Sequence, residues 1–167
     1  MDTDKISIID YNSSWSADLL WLLLDLHETY FHQNASKQIQ ELRAEHDLTR
    51  AYEGYIRYIN EHNDKDWKIF IAVTNEGKPI GFIIGSIAKE DELVRGNIGK
   101  LEDWLVADAY RGQSIGKKLY QELENWFKIH DCDQVISDTW YGNELSIRAH
   151  QQLGFFITGL SFGKRLK

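Results

Sequence analysis

The chain has 167 residues, enough for one domain with a real hydrophobic core and too few for two. Hydrophobic residues make up 43% and charged residues 27%, a composition typical of a globular protein and not of a disordered one. The net charge of −7 argues against nucleic acid as a partner, because phosphate binding needs a basic face, and mildly favours a cationic partner. We therefore predict a single domain over residues 1–167.

A short apolar run predicts a first strand at Lys5–Ile9. Ser14 is placed to cap a helix that begins near Trp15 and continues to Phe31. The leucine run 19–24 inside this helix is far below the ~20 apolar residues that a membrane span requires. The amino terminus also lacks the basic region of a signal peptide, so we expect a cytoplasmic protein with no membrane partner.

The apolar period changes after a second helix, which is predicted at Glu45–Glu61. Lys68–Thr74 and Ile80–Ala88 are β-branched and aromatic runs, and the Gly- and Pro-containing segment between them is typical of a hairpin turn. Ile98–Val106 follows as another strand. The middle of the chain is therefore predicted to form consecutive strands.

The last third of the chain returns to alternating helices and strands. We predict a helix at Gln113–Lys128, a strand at Gln134–Trp140, a helix at Glu144–Leu153 and a final hairpin from Phe155 onward. The complete order, β-α-α-β-β-β-α-β-α-β-β, implies a mixed α/β sheet covered by helices.

A glycine-containing turn joins the fourth strand to the next helix between Tyr110 and Lys118. Free backbone N–H groups and the helix dipole favour an anion at such a helix start, and glycine lets the anion approach the backbone. Arg111 and Lys117 would add positive charge. The turn therefore suits a pyrophosphate, and an ordinary turn into a helix is the alternative.

Two sequence blocks resemble the GNAT superfamily of N-acetyltransferases. Residues 111–116, Arg-Gly-Gln-Ser-Ile-Gly, resemble its R/Q-x-x-G-x-G/A coenzyme A signature, and residues 101–106 and Tyr110 are also typical of it. Residues 143–155 resemble its N-x-x-S/A-x-x-F/A-Y/H-x-x-L/M-G-F block, in which Asn143 can cap a helix and Gly154 can end it. Two blocks in this order are far more specific than either block alone.

The resemblance implies a mixed, mostly antiparallel sheet of about seven strands flanked by about four helices. It also implies an acetyl-CoA-dependent N-acetyltransferase in which a primary amine, that of a small cationic molecule, attacks the thioester directly in a ternary complex. The C-terminal half is similar to polyamine and aminoglycoside 6'-N-acetyltransferases. One position departs from the pattern, because Ser114 replaces the first motif glycine, which puts coenzyme A affinity in question.

Candidate catalytic residues follow from the same resemblance. Glu102 stands where relatives often carry the general base, which an amine with a pKa of roughly 10.4 needs. Asp103 is the second candidate for the base, and a carboxylate-bound water is a third. A regular strand would turn Glu102 and Asp103 to opposite faces unless a bulge intervenes. His150 occupies the place of a tyrosine that donates towards the coenzyme's sulfur; the alternative is a packing histidine.

Candidate binding residues complete the predicted site. Asp103 and Asp138 are expected to bind the acceptor, although Asp138 is also explained as a turn-capping residue. Helix capping likewise explains Asn143 without a ligand. The expected acetyl-CoA contacts are Leu105, Val106, Arg111, Gly112, Gln113, Ser114, Ile115, Gly116, Lys117 and Asn143.

Metal and disulfide chemistry is not predicted. The histidines lack zinc-ligand spacing, and residues 130–133 form only a weak metal signature. The single Cys132 excludes an internal disulfide and is compatible with a reducing compartment. We also expect some of the aromatic residues of the first two helices to wall the acceptor pocket, from the set Trp15, Trp21, Tyr30, Phe31, Tyr52 and Tyr55.

Two other functions are compatible with the sequence. Acetylation of a protein or peptide amine would require an open groove with strand-edge contacts. A non-catalytic, coenzyme A-binding regulatory module is allowed by Ser114 and by histidine at position 150. The sequence leaves the acceptor's identity and the oligomeric state open, and the resemblance makes a homodimer a candidate.

Overall fold

The computed structural model describes residues 5–42, 48–62, 65–88, 96–164 and 166. They form one mixed sheet in which five strands lie in chain order. Neighbouring strands are antiparallel except for the last pair, which is parallel. The strands are β1 (Ser7–Asp10), β2 (Trp67–Val73), β3 (Pro79–Ala88), β4 (Asn97–Val106) and β5 (Cys132–Ser137).

Six α-helices accompany the sheet in the described part of the chain. The first two are joined by a π-helical segment, Leu26–Phe31, and 3-10 turns lie at Ser13–Trp15 and Asp108–Tyr110. Within the described ranges, no helix combines the length and the apolar character that crossing a membrane would demand. The helices are α1 (Ser16–Asp25), α2 (His32–Asn34), α3 (Lys37–Leu42), α4 (Leu48–His62), α5 (Ile115–Ile129) and α6 (Glu144–Gln152).

Helices cover both faces of the sheet because alternate strand residues point to opposite sides. On one face, α1 and α4 pack on Ile69, Ile71, Phe82, Ile84 and Leu105. On the other face, α5 buries Leu119, Leu123 and Phe127 against Ile83 and Leu101. The resulting order of strands and helices is the mixed α/β architecture predicted from the sequence.

Most predicted elements are confirmed, with boundaries that differ by a few residues. The hairpin between β2 and β3 and the helix–strand–helix succession after β4 are present. The predicted start of the second helix at Glu45 lies outside the described residues, and α3 was not predicted. Strand β5 ends at Ser137, three residues before the predicted Trp140, because its pairing with β4 ends there.

Two predictions are wrong. Ser14 does not cap a helix: Asn12 accepts a hydrogen bond from the Ser14 backbone N–H, and α1 begins at Ser16 after a 3-10 turn. The final hairpin is also absent from residues 155–164, so the described sheet has five strands and not about seven. Alternating apolar residues suggested strands here, but Phe156 and Phe162 are 81% and 94% exposed, so the segment does not pack as a sheet strand.

Candidate active site

A cavity of about 1130 Å³ lies where β4 and β5 separate. The last paired residues of these parallel strands are Leu101 and Ser137, and β4 then continues to Val106 while the chain after Ser137 turns towards α6. The cavity is lined by the π-helical segment, the second half of β4, the start of α5 and α6. Its position therefore brings together both sequence blocks that resemble the acetyltransferase family.

The 110–117 loop, residues 110 to 117, forms one end of the cavity. Gly112 and Ser114 have left-handed φ values of 77° and 61°. The first helical hydrogen bond of α5 runs from the Lys118 N–H to the Ser114 carbonyl, so the N–H groups of the first turn are directed out of the helix. A Cβ added to Gly112 would meet nothing within 4 Å. The loop therefore presents an accessible backbone cradle for an anion.

The indole ring of Trp104 on β4 packs against the start of α5 at Gly116. A Cβ added to Gly116 would lie only 2.7 Å from Cζ2 of the Trp104 ring, so glycine is required for this close approach. The indole N–H of Trp104 is buried and has no hydrogen-bond partner among the described residues. The contact between strand and helix thus fixes the height of the 110–117 loop above the sheet.

Arg111 folds across the cavity wall. Its Nε donates to the Val106 carbonyl at 2.9 Å, and a terminal nitrogen lies 2.6 Å from the Asp108 carboxylate. The guanidinium also lies 5.0 Å from the centre of the Tyr30 ring, within cation–π range. Arg111 therefore places its positive charge at the cavity wall, where three neighbours hold it.

A β-bulge turns both candidate acids to the same face of the sheet. Ile84 of β3 pairs with Asp103 and Gly85 pairs with Leu101, so Glu102 is the extra residue of β4. A regular strand would have separated Glu102 and Asp103, but the extra residue brings both carboxylates to the side covered by α1 and α4. Both line the cavity.

The two acids differ in their partners. Glu102 accepts a hydrogen bond of 2.5 Å from the Ser86 hydroxyl and forms an ion pair of 2.9 Å with Lys100. The hydrogen bond to Glu102 raises the pKa of Lys100. Glu102 is thus a carboxylate held by an ion pair and a hydroxyl hydrogen bond.

Asp103 has a different environment. Its Oδ2 accepts a hydrogen bond of 2.9 Å from the Tyr55 hydroxyl. The pKa of Asp103 is raised from 3.8 to about 6, chiefly by burial and also by the charges of Glu102 and Asp138, while the Tyr55 hydrogen bond lowers it in part. Burial also raises the pKa of Tyr55, so the phenol remains a hydrogen-bond donor. Asp103 therefore changes its charge close to neutral pH.

His150 lies on α6 and also lines the cavity. Its Nδ1 is 2.7 Å from the Ser146 carbonyl and its Nε2 is 2.9 Å from the Ser137 hydroxyl. The rings of Trp104 and Phe155 contact the imidazole edge-on at centroid distances of 5.9 and 5.2 Å. The histidine is therefore held by hydrogen bonds at both ring nitrogens.

Asn143 caps α6 and is buried. Its Oδ1 accepts from the Ser146 backbone N–H at 3.3 Å and from the Tyr30 hydroxyl at 3.0 Å. Its Nδ2 donates to the Thr139 hydroxyl at 2.9 Å. The predicted capping role is confirmed, and the side chain also ties α6 to the π-helical segment.

The structure brings together nearly all predicted site residues. Asp138 is exposed at the cavity wall, whereas Gln113 is exposed but lies outside the lining. Tyr30 and Phe31 wall the cavity as expected of the aromatic set, and Trp140 joins them with ring contacts to both. Among the described residues, no cluster of three or more His, Cys, Asp and Glu side chains is arranged to hold a metal ion.

Three contributors to the site were not predicted as such. Tyr55 was expected only among possible wall residues, and Ser137 and Trp140 were assigned to a strand. A tyrosine near an acid 48 residues away carries no local sequence signal. Ser137 is the last residue of a strand that is parallel to its neighbour, and such strand ends often carry site residues. That position was the signal available in the sequence.

Comparison with known proteins defines the class of this fold and site. The Acetyltransferase (GNAT) family model matches residues 21–155, most of the chain, and the chain belongs to this family. It is 25% identical over 96 residues to aminoglycoside N(6')-acetyltransferase type 1 of Stenotrophomonas maltophilia, a match that covers 55% of this chain and 61% of that protein.

A second relative is similar in sequence, and a solved structure is similar in fold. The chain is 33% identical over 92 residues to aminoglycoside N(6')-acetyltransferase type 1 of Acinetobacter baumannii, covering 53% of this chain and 62% of the relative. These matches thus span about three fifths of the relatives' length. The fold is similar to that of AAC(6')-Iy in complex with the bisubstrate analog CoA-S-monomethyl-acetylneamine, with a TM-score of 0.73, 21% identity and coverage of 98% and 99%.

Proposed function

We propose that this protein transfers the acetyl group of acetyl-CoA to a primary amine of a small cationic molecule by direct attack in a ternary complex. The observation that carries the proposal is the bulge in β4, which sets Glu102 and Asp103 on one face of a cavity that ends at the exposed 110–117 loop. An anion-binding backbone and a pair of acids in one cavity fit a carrier with phosphates and a basic acceptor.

The residues present suit the coenzyme. The space above Gly112 is open, the first-turn N–H groups of α5 face outward, and Arg111 and Lys117 line the same part of the cavity. We therefore assign the phosphates to the 110–117 loop and the acyl arm to the backbone of Leu105 and Val106. The thioester supplies an activated acyl carbon, and the protein's own groups bind, orient and manage protons.

We assign Asp103 and Glu102 different roles at the acceptor amine. An alkyl ammonium has a pKa of roughly 10.4 and must lose a proton before its nitrogen can attack. Asp103, with a pKa of about 6 and a fixed Tyr55 donor, supports the role of general base, directly or through a water. Glu102, although paired with Lys100, lines the cavity and adds a carboxylate that can accept a hydrogen bond from the ammonium. This assignment moves the base from Glu102 to Asp103.

The charge of the cavity favours a cationic acceptor. Glu102, Asp103 and Asp138 line it, and the chain as a whole carries a net charge of −7. Tyr30, Phe31 and Trp140 add an aromatic wall on which the apolar faces of such a molecule can pack. The relatives named for acetylation of aminoglycosides, which are polyamines built on sugars, support the same substrate class.

We also propose a cytoplasmic homodimer. The single Cys132, half-buried beside two aspartates, suits a reducing compartment. Phe156, Ile157, Leu160 and Phe162 are 68% to 94% exposed, and a monomer rarely leaves such an apolar row in water. Light scattering of the purified chain should give twice the monomer mass of 19.5 kDa; the monomer mass would contradict the dimer.

A coupled experiment tests the proposed function. Titration calorimetry with acetyl-CoA should show binding, and a spectrophotometric thiol-release assay should show turnover with polyamines or aminoglycosides above lysine-bearing peptides. Binding without turnover would favour the regulatory module, and preference for peptides would favour a protein acetyltransferase. Absence of acetyl-CoA binding would overturn the proposal.

A further inference from the structure

Both nitrogens of the His150 ring have defined partners. Nδ1 lies 2.7 Å from the Ser146 carbonyl oxygen, and Nε2 lies 2.9 Å from Oγ of Ser137. A carbonyl oxygen can only accept a hydrogen bond, so this shorter contact assigns the proton to Nδ1, and the Ser146 hydroxyl, 3.3 Å from Nδ1, is then a weaker second acceptor. The neutral ring is therefore the Nδ1–H tautomer, and its Nε2 is an acceptor.

This tautomer changes what His150 can do. In the neutral ring the single N–H is committed to the Ser146 carbonyl, so no ring proton remains for a ligand in the cavity. The Ser137 hydroxyl then donates to Nε2. In the imidazolium, Nε2–H donates to Ser137 instead, and the hydroxyl proton of Ser137 is released for another acceptor.

We propose that Ser137 is a catalytic residue that passes a proton from His150 to the leaving thiolate, an inference that rests on the proposed function. When the amine nitrogen bonds to the acyl carbon, the carbon–sulfur bond breaks and its electron pair leaves on the thiolate. The Ser137 hydroxyl proton passes to the thiolate while the Nε2 proton of the imidazolium passes to Ser137. The proton that the amine loses goes to Asp103 and from there to solvent, and His150, left as the neutral Nδ1–H tautomer, takes up a proton from solvent.

The surroundings of the pair support a relay of fixed geometry. Ser137 is the last residue of β5, and the Leu101 carbonyl of β4 lies 3.4 Å from its Oγ. This carbonyl is a second acceptor for the hydroxyl, so the hydroxyl can turn away from Nε2 without losing all hydrogen bonding. Trp104 and Phe155 flank the imidazole and hold its plane. Ser137 and His150 both line the cavity.

A spectroscopic test does not depend on activity. In the full chain labelled with 15N-histidine, we expect the His150 ring to show the Nδ1–H tautomer, whereas free histidine favours Nε2–H. In Ser137→Ala, the Nε2 resonance should move towards that of a ring nitrogen with no hydrogen-bond donor. An Nε2–H tautomer in the native chain, or an Nε2 resonance unchanged by Ser137→Ala, would overturn the proposal even if the chain never acetylates an amine.

Kinetics supply the second readout. Ser137→Ala is expected to lower kcat about a hundredfold, at the low end of acid–base contributions, and to leave the KM for acetyl-CoA within about twofold. Ser137→Thr should restore most of the rate, and Ser7→Ala, on the far edge of the sheet, should match the native chain. In a His150→Phe background, Ser137→Ala should have no further effect. An active native chain with a fully active Ser137→Ala, or with additive losses, would refute the relay and leave the acetyltransferase function standing.

Discussion

The hydroxyl of Tyr55 on α4 donates a hydrogen bond of 2.9 Å to Oδ2 of Asp103 on β4. Burial raises the pKa of both groups, and the phenol partly offsets this effect on Asp103 by stabilising its carboxylate. The pair therefore sets an acid whose pKa of about 6 suits proton transfer near neutral pH. The Tyr55–Asp103 hydrogen bond also links α4 to the bulge that turns both acids towards the cavity.

Removing the phenol should shift the pH dependence of catalysis upward. In Tyr55→Phe the carboxylate loses its donor, so the pKa of Asp103 should rise by roughly one unit. Because the base must be ionised, the acidic limb of the kcat/KM profile should move to higher pH by the same amount. Tyr58→Phe, an exposed tyrosine of the same helix, is the matched control and should leave the profile unchanged. An unshifted Tyr55→Phe profile would rule out Asp103 as the group that titrates.

Asp103→Asn should lower the activity and raise the stability of the protein. The folded-state pKa of about 6 lies above 3.8, so the folded chain binds more protons than the unfolded chain between these pH values. The contribution of Asp103 to native stability must therefore fall as pH rises from about 4 to about 6. Relative to the native chain, the variant should gain about 2–3 kcal/mol between pH 4 and pH 8, since its amide remains neutral and still accepts from Tyr55.

Urea unfolding of both chains at pH 4 and pH 8 measures this difference. The thiol-release assay on the same samples should show a loss of at least a hundredfold in kcat/KM. Lys128→Met, at an exposed helix pair with Glu124, provides a surface charge control without the pH-dependent gain. An Asp103→Asn variant with equal stability changes at the two pH values would contradict the buried-acid interpretation.

These results also show which parts of the site could be predicted from sequence. The 110–117 loop was predictable because its signals are local: glycines, flanking cations and a helix start lie within eight residues. The cap at Asn143 was predictable for the same reason. The orientation of Glu102 and Asp103 could not be predicted. The bulge depends on how β4 pairs with β3, and the residue types of β4 alone give no sign of it. The Tyr55–Asp103 and Ser137–His150 contacts depend on how separate elements pack.

Ser114 offers a direct test of backbone strain in the 110–117 loop. Its φ of 61° is left-handed, and its side chain makes no capping hydrogen bond. A residue with a Cβ loses roughly 1 kcal/mol in this conformation, so Ser114→Gly should raise stability by about 0.5–1 kcal/mol. Gly112→Ala is the matched opposite: its φ of 77° is also left-handed and its Cβ would meet no atom, so strain alone should lower stability by a similar amount. Thermal unfolding of the two variants in the same buffer would contradict this interpretation if both shifted in the same direction.

Gly116 and Trp104 should be coupled, because the missing Cβ of the glycine is what lets the indole approach α5. In Gly116→Ala the new methyl group would lie 2.7 Å from Cζ2 of Trp104, so the start of α5 or the ring must move, at a cost of about 1–3 kcal/mol. Displacing the first turn also moves the N–H groups assigned to the phosphates, so acetyl-CoA affinity should fall about tenfold. Trp104→Phe removes the crowding atoms of the indole, Cζ2, Cε2 and Nε1, the last of which carries a buried N–H that has no partner in the described part of the chain.

A double-mutant cycle separates this contact from general damage. Trp104→Phe should restore a large part of the affinity and stability that Gly116→Ala removes, giving a favourable coupling of roughly 1 kcal/mol or more. Gly54→Ala, a half-buried site in α4 where the new Cβ would meet only the flexible end of Arg57 at 4.0 Å, serves as the control for adding a methyl group to a helix. It should be neutral or stabilising in both backgrounds, since alanine is the better helix former. Additive losses in the cycle would show that the Trp104 ring does not set the position of α5.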